Sequence, residues 1–511
     1  MNPNIIYRDV DGQPATGKTF QAFHFAARKT NSSTYFIIAQ PSRRLNRETR
    51  ADMRKCAALP ASDPAWIPNV PVMVVNSDTT ENVAETLMEL SKETHEDGLI
   101  VLCTHAGLLD CPYFHKGTSR NAPQWHMIGD EAFPFFWHHE IRLQDHRQLI
   151  DDILELTPHG LDYSLISAKD KPVVKRFADH LADDEWNDTI ADLCAKILSP
   201  KWSVYTQNEQ WHRFVNALER EQDPKGRLSF FALLDPHVFD CFSTVTMMGA
   251  NIHDSIGSLM MRQTGIKFEP HSWISKNLKK ARFPGGRLTI IYGAEERWSK
   301  RRRNTSVKLP DGTYTDIGQA MADAAMMEFG DEPFAFLINH DLDKNSPFGE
   351  KGTQLPFASH GLNSFGHLNA ACVIPALNPT PLMFNFLDSV AHLDPEHVIR
   401  AVCHEQVLQA SARIFRDPDD PRHKTLFVAD RDMAEHIGRS YPGATLRHAC
   451  FPFELPDMPP RGQPRKYECN AEKCAAYQAS RKDELSRQLR VRLESHPERA
   501  SLRASSMAEA A

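Results

Sequence analysis

Short apolar and β-branched runs alternate with stretches of helical spacing through the first quarter of the chain. The run from Asn4 to Val10 is closed by Asp11-Gly12, as a buried strand is. The spacing then predicts a helix from Gly17 to Lys29. Strands are predicted at Ser33–Ala39, Val72–Val75, Leu99–Cys103 and Trp125–Ile128, with a helix-forming stretch, Thr80–Glu93, among them. Strands that alternate with helices imply a parallel sheet, because a parallel neighbour is reached only by a crossover. From about 141 to 227 the pattern turns helical and acidic, as in Asp145–Leu156 and Phe177–Ile197, with no clear strand, which predicts a helical insert. Strand-like runs return at Leu228–Leu234 and Cys241–Met248, and a second set follows at Arg287–Tyr292, Pro333–Asn339, Ala370–Pro375 and Lys424–Ala429.

The fold class expected is therefore α/β, with two parallel-sheet domains in tandem. The first covers residues 1–255 with its insert, the second 256–455, and a basic tail, partly disordered or helical, runs from 456 to 511. A length of 511 residues leaves room for about three compact units. Hydrophobic residues at 41% and charged residues at 24% describe an ordinary soluble chain, and no apolar run is long enough to span a bilayer. The opening segment carries Arg8, Asp9 and Asp11 and has no small-residue cleavage site, so a secreted product is not expected. Ten cysteines without regular spacing suit a reducing compartment, and a cytoplasmic location follows as an expectation.

A net charge of -7 excludes a globally basic nucleic-acid coat and leaves only local patches. Between Lys276 and Lys308 eleven basic residues stand against Glu295 and Glu296, with Phe283 and Trp298 interleaved. Cations bind phosphates and aromatic faces stack bases, so this stretch is a candidate nucleic-acid track. The tail adds eleven basic residues against eight acidic ones. Within it, Arg461-Gly-Gln-Pro-Arg-Lys466 resembles an AT-hook whose core Gln463 breaks, and the helix-forming stretch Ala471–Leu493 is basic enough to lie along a duplex.

The chemistry concentrates in Gly12-Gln-Pro-Ala-Thr16-Gly17-Lys18-Thr19, a complete G-x-x-x-x-G-K-T after a strand and before a helix. Its glycines let backbone amides curl around phosphate oxygens, Lys18 reaches the terminal phosphates, and the Thr19 hydroxyl can ligate Mg2+. ATP and Mg2+ are the cofactors expected. A second block, His126-Met-Ile-Gly-Asp130-Glu131-Ala-Phe133, is an apolar strand ending in paired carboxylates. There Asp130 would hold the metal and Glu131 would polarise an attacking water.

With these two blocks the chain resembles superfamily 2 helicases of the DEAD/DEAH type, with Asp130-Glu-Ala-Phe133 in the position of the acidic box. The looseness of its motifs is similar to that of phage or plasmid helicases. The resemblance implies two RecA-like domains that bind ATP between them. It implies nucleic-acid contacts at Gln40-Pro41-Ser42-Arg43, at Cys103-Thr104-His105 and at Ser243-Thr244, which lie within a coupling block, Ser243-Thr244-Val245-Thr246. It further implies a ligand-sensing block at His360-Gly361-Leu362-Asn363 and an arginine-finger helix at Gln409-Ala-Ser-Ala-Arg413-Ile-Phe-Arg416. On a helix, positions 409, 413 and 416 share one face, which would bring Gln409, Arg413 and Arg416 to the γ-phosphate. The iron-sulfur branch of the family is excluded, because only Cys56, Cys103 and Cys111 lie between the two nucleotide blocks. His448, Cys450, Cys469 and Cys474 have spacings that match tight zinc knuckles poorly. The chain begins almost at its first strand, so an upstream adenine-reading glutamine is not expected.

The function expected is an ATP-dependent helicase or translocase acting on single-stranded or partly duplex nucleic acid, DNA in preference to RNA. The alternative is a nucleotide-gated DNA-binding or assembly protein that does not unwind. A DNA-packaging motor would need a cluster of nuclease carboxylates, and none is present.

Overall fold

A computed structural model describes residues 5–14, 16–111, 114, 124–142, 149–182, 187–222, 226–278, 283–356, 365–415, 417, 419–453 and 455–456. By proximity along the fold these divide into a large unit, residues 1–158 and 163–456, and a small one, residues 159–162 and 457–511. Of the small unit only the turn at 159–162 is described, with Gly160 at φ +71.

The strands, in chain order, begin with β1 (Ile6–Asp11), β2 (Thr34–Gln40), β3 (Val72–Val75), β4 (Ile100–Thr104) and β5 (Gln124–Asp130). Then come β6 (Phe136–Arg142), β7 (Leu154–His159), β8 (Tyr163–Ala168), β9 (Trp202–Gln207) and β10 (Arg227–Leu234). After these stand β11 (Thr244–Gly249), β12 (Phe268–Pro270), β13 (Leu288–Ala294), β14 (Ser306–Lys308) and β15 (Tyr314–Asp316). The last are β16 (Phe334–Leu337), β17 (Thr353–Gln354), β18 (Ala370–Val373), β19 (Lys424–Asp430) and β20 (Thr445–His448).

Seven strands build the first sheet in the order β12-β1-β11-β5-β2-β4-β3, all parallel. Alternation along each strand divides the side chains between two cores. Ile37, Val101, Met127 and Val245 point to one face, while Ile38, Leu102, Ile128 and Met248 point to the other. A second sheet, β17-β16-β18-β19-β13-β20, is parallel as well and has its own core, centred on Ile291, Ala371 and Phe427. The α/β class with two parallel sheets in tandem is therefore present. The first sheet takes in β12 and the helix Ser272–Asn277 packed beside it, so its elements run beyond residue 255.

The insert departs from expectation. Its helices Lys171–Ala178, Asn187–Leu198 and Asn208–Glu219 accompany an antiparallel sheet, β6-β10-β9-β8-β7, of which only β10 answers to a strand expected from the sequence, at Leu228–Leu234. The signal of the others was hidden because the sheet carries polar residues inward. Ser164, Thr206 and Ser229 are buried, and two of their hydroxyls are hydrogen-bonded, Ser164 Oγ donating to Asn208 Oδ1 at 2.7 Å and Thr206 Oγ1 to the Ser229 carbonyl at 3.1 Å. Such pairing removes the cost of burying a hydroxyl and also blurs the apolar alternation.

One face of this sheet receives a helix from the second half of the chain. The helix Pro381–Ser389, started by Pro381 and capped by the Thr380 hydroxyl on the Met383 amide at 3.3 Å, places Phe386 among rings of the insert. Phe386 stacks on Phe231 at 4.4 Å and 9°, and meets Tyr163 at 5.2 Å, Tyr205 at 5.5 Å and Phe136 at 6.0 Å. Phe386 and Leu387 are wholly buried and belong to the core beneath the first sheet.

Candidate functional site

Because the first sheet is parallel and in register, Asp11, Gln40, Thr104, Asp130 and Gly249 end their strands along one edge. That edge is where open parallel sheets carry ligand sites, since every loop leaving it opens toward the same crevice. Gly12 follows β1, and its amide donates to the Gly249 carbonyl at 3.1 Å. A Cβ there would stand 2.9 Å from Leu278 Cδ1 and 3.1 Å from Thr16 Oγ1, so a side chain would have to push both aside. Gly17, at φ 81, turns the chain into the helix Lys18–Lys29, a left-handed conformation that favours glycine. Lys18 is buried, and its ammonium donates to the carbonyls of Gly12 at 2.6 Å and Gln13 at 3.0 Å. The Thr16 hydroxyl donates to the Gln13 carbonyl at 2.8 Å.

Asp130 stands at the centre of this edge. Its Oδ2 accepts from Thr19 Oγ1 at 2.7 Å and from Gln40 Nε2 at 3.2 Å. Burial, with the neighbouring Glu131 charge, pushes the Asp130 carboxyl above its usual range, against those two hydrogen bonds and Lys18. A hydroxyl and a carboxylate converging in a buried place are hard oxygen donors of the type Mg2+ takes. Glu131 follows at φ 70, a left-handed backbone that a non-glycine residue adopts at a cost of about 1 kcal/mol or more. The turn is fixed from beneath by Phe133, which stacks on His105 at 4.1 Å and packs on Phe239 at 4.9 Å.

Glu131 lines a cavity of about 130 Å3 shared with the second half of the chain. Pro41, Asn251, Ala401, Glu405 and Gln409 are among the other walls. The last three stand on a continuous helical stretch in which Arg400–His404 is a π-turn and Glu405–Ser411 is α-helix. The Glu405 carboxylate accepts from Asn251 Nδ2 at 3.0 Å and from Gln409 Nε2 at 3.0 Å, with His436 Nε2 at 3.8 Å.

Several expected residues sit elsewhere. Arg413 does not share a helix face with Gln409, because the α-helix ends at Ser411 and tightens into three-residue turns that bury Ile414 and Phe415. Arg413 lies in that turn, buried, with its Nε unpartnered among the described residues. Arg416, Gly361 and Asn363 lie outside the described residues, as does the tail. Ser243 and Thr244 were expected to contact nucleic acid in a block that couples hydrolysis to domain movement, but they stand at the opening of β11. Met248, four residues on, pairs with Asp130, so Thr244 is about 13 Å back along the strand, where its hydroxyl meets His126 Nδ1 at 2.7 Å. His105 was expected at a nucleic-acid backbone and is buried against Phe133, while the Thr104 hydroxyl accepts from the Gly107 amide at 3.1 Å as a helix cap.

Pro41 lines the cavity, the Ser42 hydroxyl caps the helix Arg43–Ala57, and Arg43 is exposed, paired with Asp78 at 2.6 Å. Part of the basic stretch from Lys276 to Lys308 is consumed by the fold, while Lys279, Lys280 and Arg282 lie outside the described residues. Trp298 and Phe283 are buried and stack no base, since Trp298 is held by Asp430 and the Ile374 carbonyl. Arg297 pairs with Glu396 and Asp432, Arg302 with Glu296, and Arg303 with Asp341. A count along the chain cannot see acidic partners that arrive from a hundred residues away.

Gln40, expected at the nucleic-acid backbone, is instead fully buried and bonded to Asp130, and residues that sequence reasoning passed over include Asn46, Asn76, Gly249 and Asn251. None forms a motif by itself. Their only signal was position, since Gly249 directly follows a predicted strand.

No family model matches the chain, and no curated protein matches it in sequence. Among solved structures, an XPD helicase aligns over 87% of this chain and 96% of its own at 10% identity, with a TM-score of 0.46. Dbp5 of S. cerevisiae, bound to RNA and ADP BeF3, aligns over 88% of this chain and 86% of its own at 11% identity, with a TM-score of 0.32.

Proposed function

We propose that this chain is an ATP-driven helicase or translocase. The observation that carries the reading is the meeting of Glu131 from the first sheet with Glu405 and Gln409 from the second half around one cavity, beside Lys18, Thr19 and Asp130. Lys18 exchanges the carbonyls of Gly12 and Gln13 for the terminal phosphates of ATP, whose charge an ammonium satisfies better than a neutral oxygen does. Thr19 and Asp130 would hold Mg2+, which would supply neutralisation of phosphate charge in the transition state. Glu131 accepts the proton of the attacking water, oriented by its strained turn. Gln409 faces it across the cavity, so closing the two domains brings its amide toward the phosphates.

Arg43, exposed at the end of β2, contacts the polynucleotide backbone, where Lys and Arg provide affinity without reading sequence. Single-stranded DNA is the substrate we propose over RNA, on the strength of the basic segment beyond residue 456. ATP hydrolysis by the wild type and by Lys18→Ala and Glu131→Gln, each with and without single-stranded DNA, tests the reading. The expected outcome is DNA-stimulated turnover that falls roughly a hundredfold or more in both variants. Wild-type turnover indifferent to every polynucleotide overturns a motor, and DNA binding gated by ATP without strand displacement makes the protein a switch.

A further inference from the structure

Behind the carboxylate edge lies a line of buried amides. Asn76, at 1% exposure, donates through Nδ2 to Asn46 Oδ1 at 3.2 Å. Asn46, fully buried, donates to Gln40 Oε1 at 3.1 Å and to the Cys103 carbonyl at 3.0 Å. Gln40, also fully buried, donates to Asp130 Oδ2 at 3.2 Å and to Thr49 Oγ1 at 3.0 Å. At the outer end the Asp78 amide donates to Asn76 Oδ1 at 3.0 Å, and the Asp78 carboxylate holds Arg43.

Every one of these side-chain bonds runs in the same sense, N–H toward oxygen, and the series terminates on the Asp130 carboxylate. A carboxylate has no proton to give, so Asp130 dictates which way Gln40 faces, Gln40 dictates Asn46, and Asn46 dictates Asn76. Turning any one amide over would set donor against donor in a place water does not reach. Bonds aligned in this way polarise one another, and a change of charge at one end is felt along the series. The series also ties together the ends of three strands, through Cys103 of β4, Gln40 of β2 and Asn76 just past β3.

We propose that Gln40, Asn46 and Asn76 are buried positioning residues that couple the Asp130 site to the surface formed by Arg43 and Asp78. Nucleotide with Mg2+ at one end and a polynucleotide strand at the other then bias each other's affinity. The proposal rests on the functional reading above. Its physical basis is that neutralising Asp130 weakens its hold on Gln40 and frees the turn that carries Asp78.

The test is a pair of titrations with the full chain: fluorescent oligo-dT in the absence and presence of a non-hydrolysable ATP analogue with Mg2+, and the labelled analogue with and without oligo-dT. The wild type is expected to show a reciprocal change in affinity, in the range of roughly 5- to 150-fold typical of coupled sites. In Asn46→Leu and Asn76→Ala this factor is expected to fall toward one while each ligand alone binds within about threefold of wild type, a split that mere loosening of the fold does not give. Asn76→Ala guards against failure of the more buried variant to fold, and an unchanged melting temperature certifies it. A wild type that binds neither ligand sinks the functional reading. A wild type that binds both without mutual effect, or variants that keep the full coupling factor, overturn the relay alone.

Discussion

Asn251 Nδ2 and Glu405 Oε2 lie 3.0 Å apart, a hydrogen bond that passes from the edge of the first sheet to the helix of the second. Asn251 reaches it from a left-handed backbone, φ 48, directly after the turn that follows β11. Asparagine tolerates that conformation better than most residues, and its amide suits a carboxylate acceptor. Replacing Asn251 with Ala removes the bond and leaves the strained backbone. A loss of about 2 kcal/mol is expected in urea unfolding, as for other hydrogen bonds to charged groups, while an unchanged midpoint would mean that the two halves are not held there.

Glu131 offers a separation of stability from activity. Its φ of 70 is costly for any residue with a Cβ, so Glu131→Gly is expected to raise stability by about 1 kcal/mol. The same substitution removes the carboxylate from the cavity and should abolish ATP turnover. Calorimetry and an ATPase assay on one preparation check both halves, and a less stable Gly variant would contradict the strain.

Acid sensitivity should be traceable to buried histidines. Burial holds His404 down to about 3, helped by His436, Arg297 and Arg439 and opposed by Glu396. Burial likewise holds His24, His126 and His271 down to about 4. A group whose folded value lies below its unfolded value, near 6.5 for histidine, favours the folded chain while neutral. That stability is complete above about pH 6.5 and is lost as the pH falls toward the folded values. The urea midpoint is therefore expected to drop between pH 7 and pH 5. His404→Leu should drop less over that interval, and an identical slope in the variant would clear His404 of the effect.

Phe386 supports a prediction about the insert. Truncating a ring stacked at 4.4 Å on Phe231 and closed in by Tyr163 and Tyr205 leaves a cavity, and Phe386→Ala should cost about 3–5 kcal/mol. Near-ultraviolet circular dichroism should lose the aromatic signal of the insert as well, which a purely local defect in the second domain would not cause.

The sequence made most of the two parallel sheets legible, because a strand buried on both faces reads as an unbroken apolar run. Val72–Val75 was located to the residue, and Lys424–Ala429 to within one. That Lys18, Thr19, Asp130 and Glu131 gather at one sheet edge was legible for a different reason: the two blocks that carry them follow predicted strands of one parallel sheet, whose ends face the same way. What stayed hidden depended on partners distant in sequence. Arg297 and Arg303 read as free cations until Glu396 and Asp341 came to meet them, and Trp298 read as a stacking platform until the second sheet closed over it. Ser243–Thr246 matched a motif by composition, yet the register of β11 against β5 sets it at the wrong end of the strand. Gln409 and Arg413 parted company because burying Ile414 and Phe415 outweighed one more helical turn.

The helix Pro381–Ser389 has a consequence for how the chain comes into being. Translation delivers the first sheet and the insert long before residue 386 emerges, so the rings of Phe231, Tyr163 and Tyr205 wait with one side open to water. The amino-terminal half cannot finish its own interior while it is being made. A nascent chain released early would present that aromatic hollow to chaperones or to its neighbours, and deleting residues 141–227 would strand Phe386 and Leu387 in the same way on the other half.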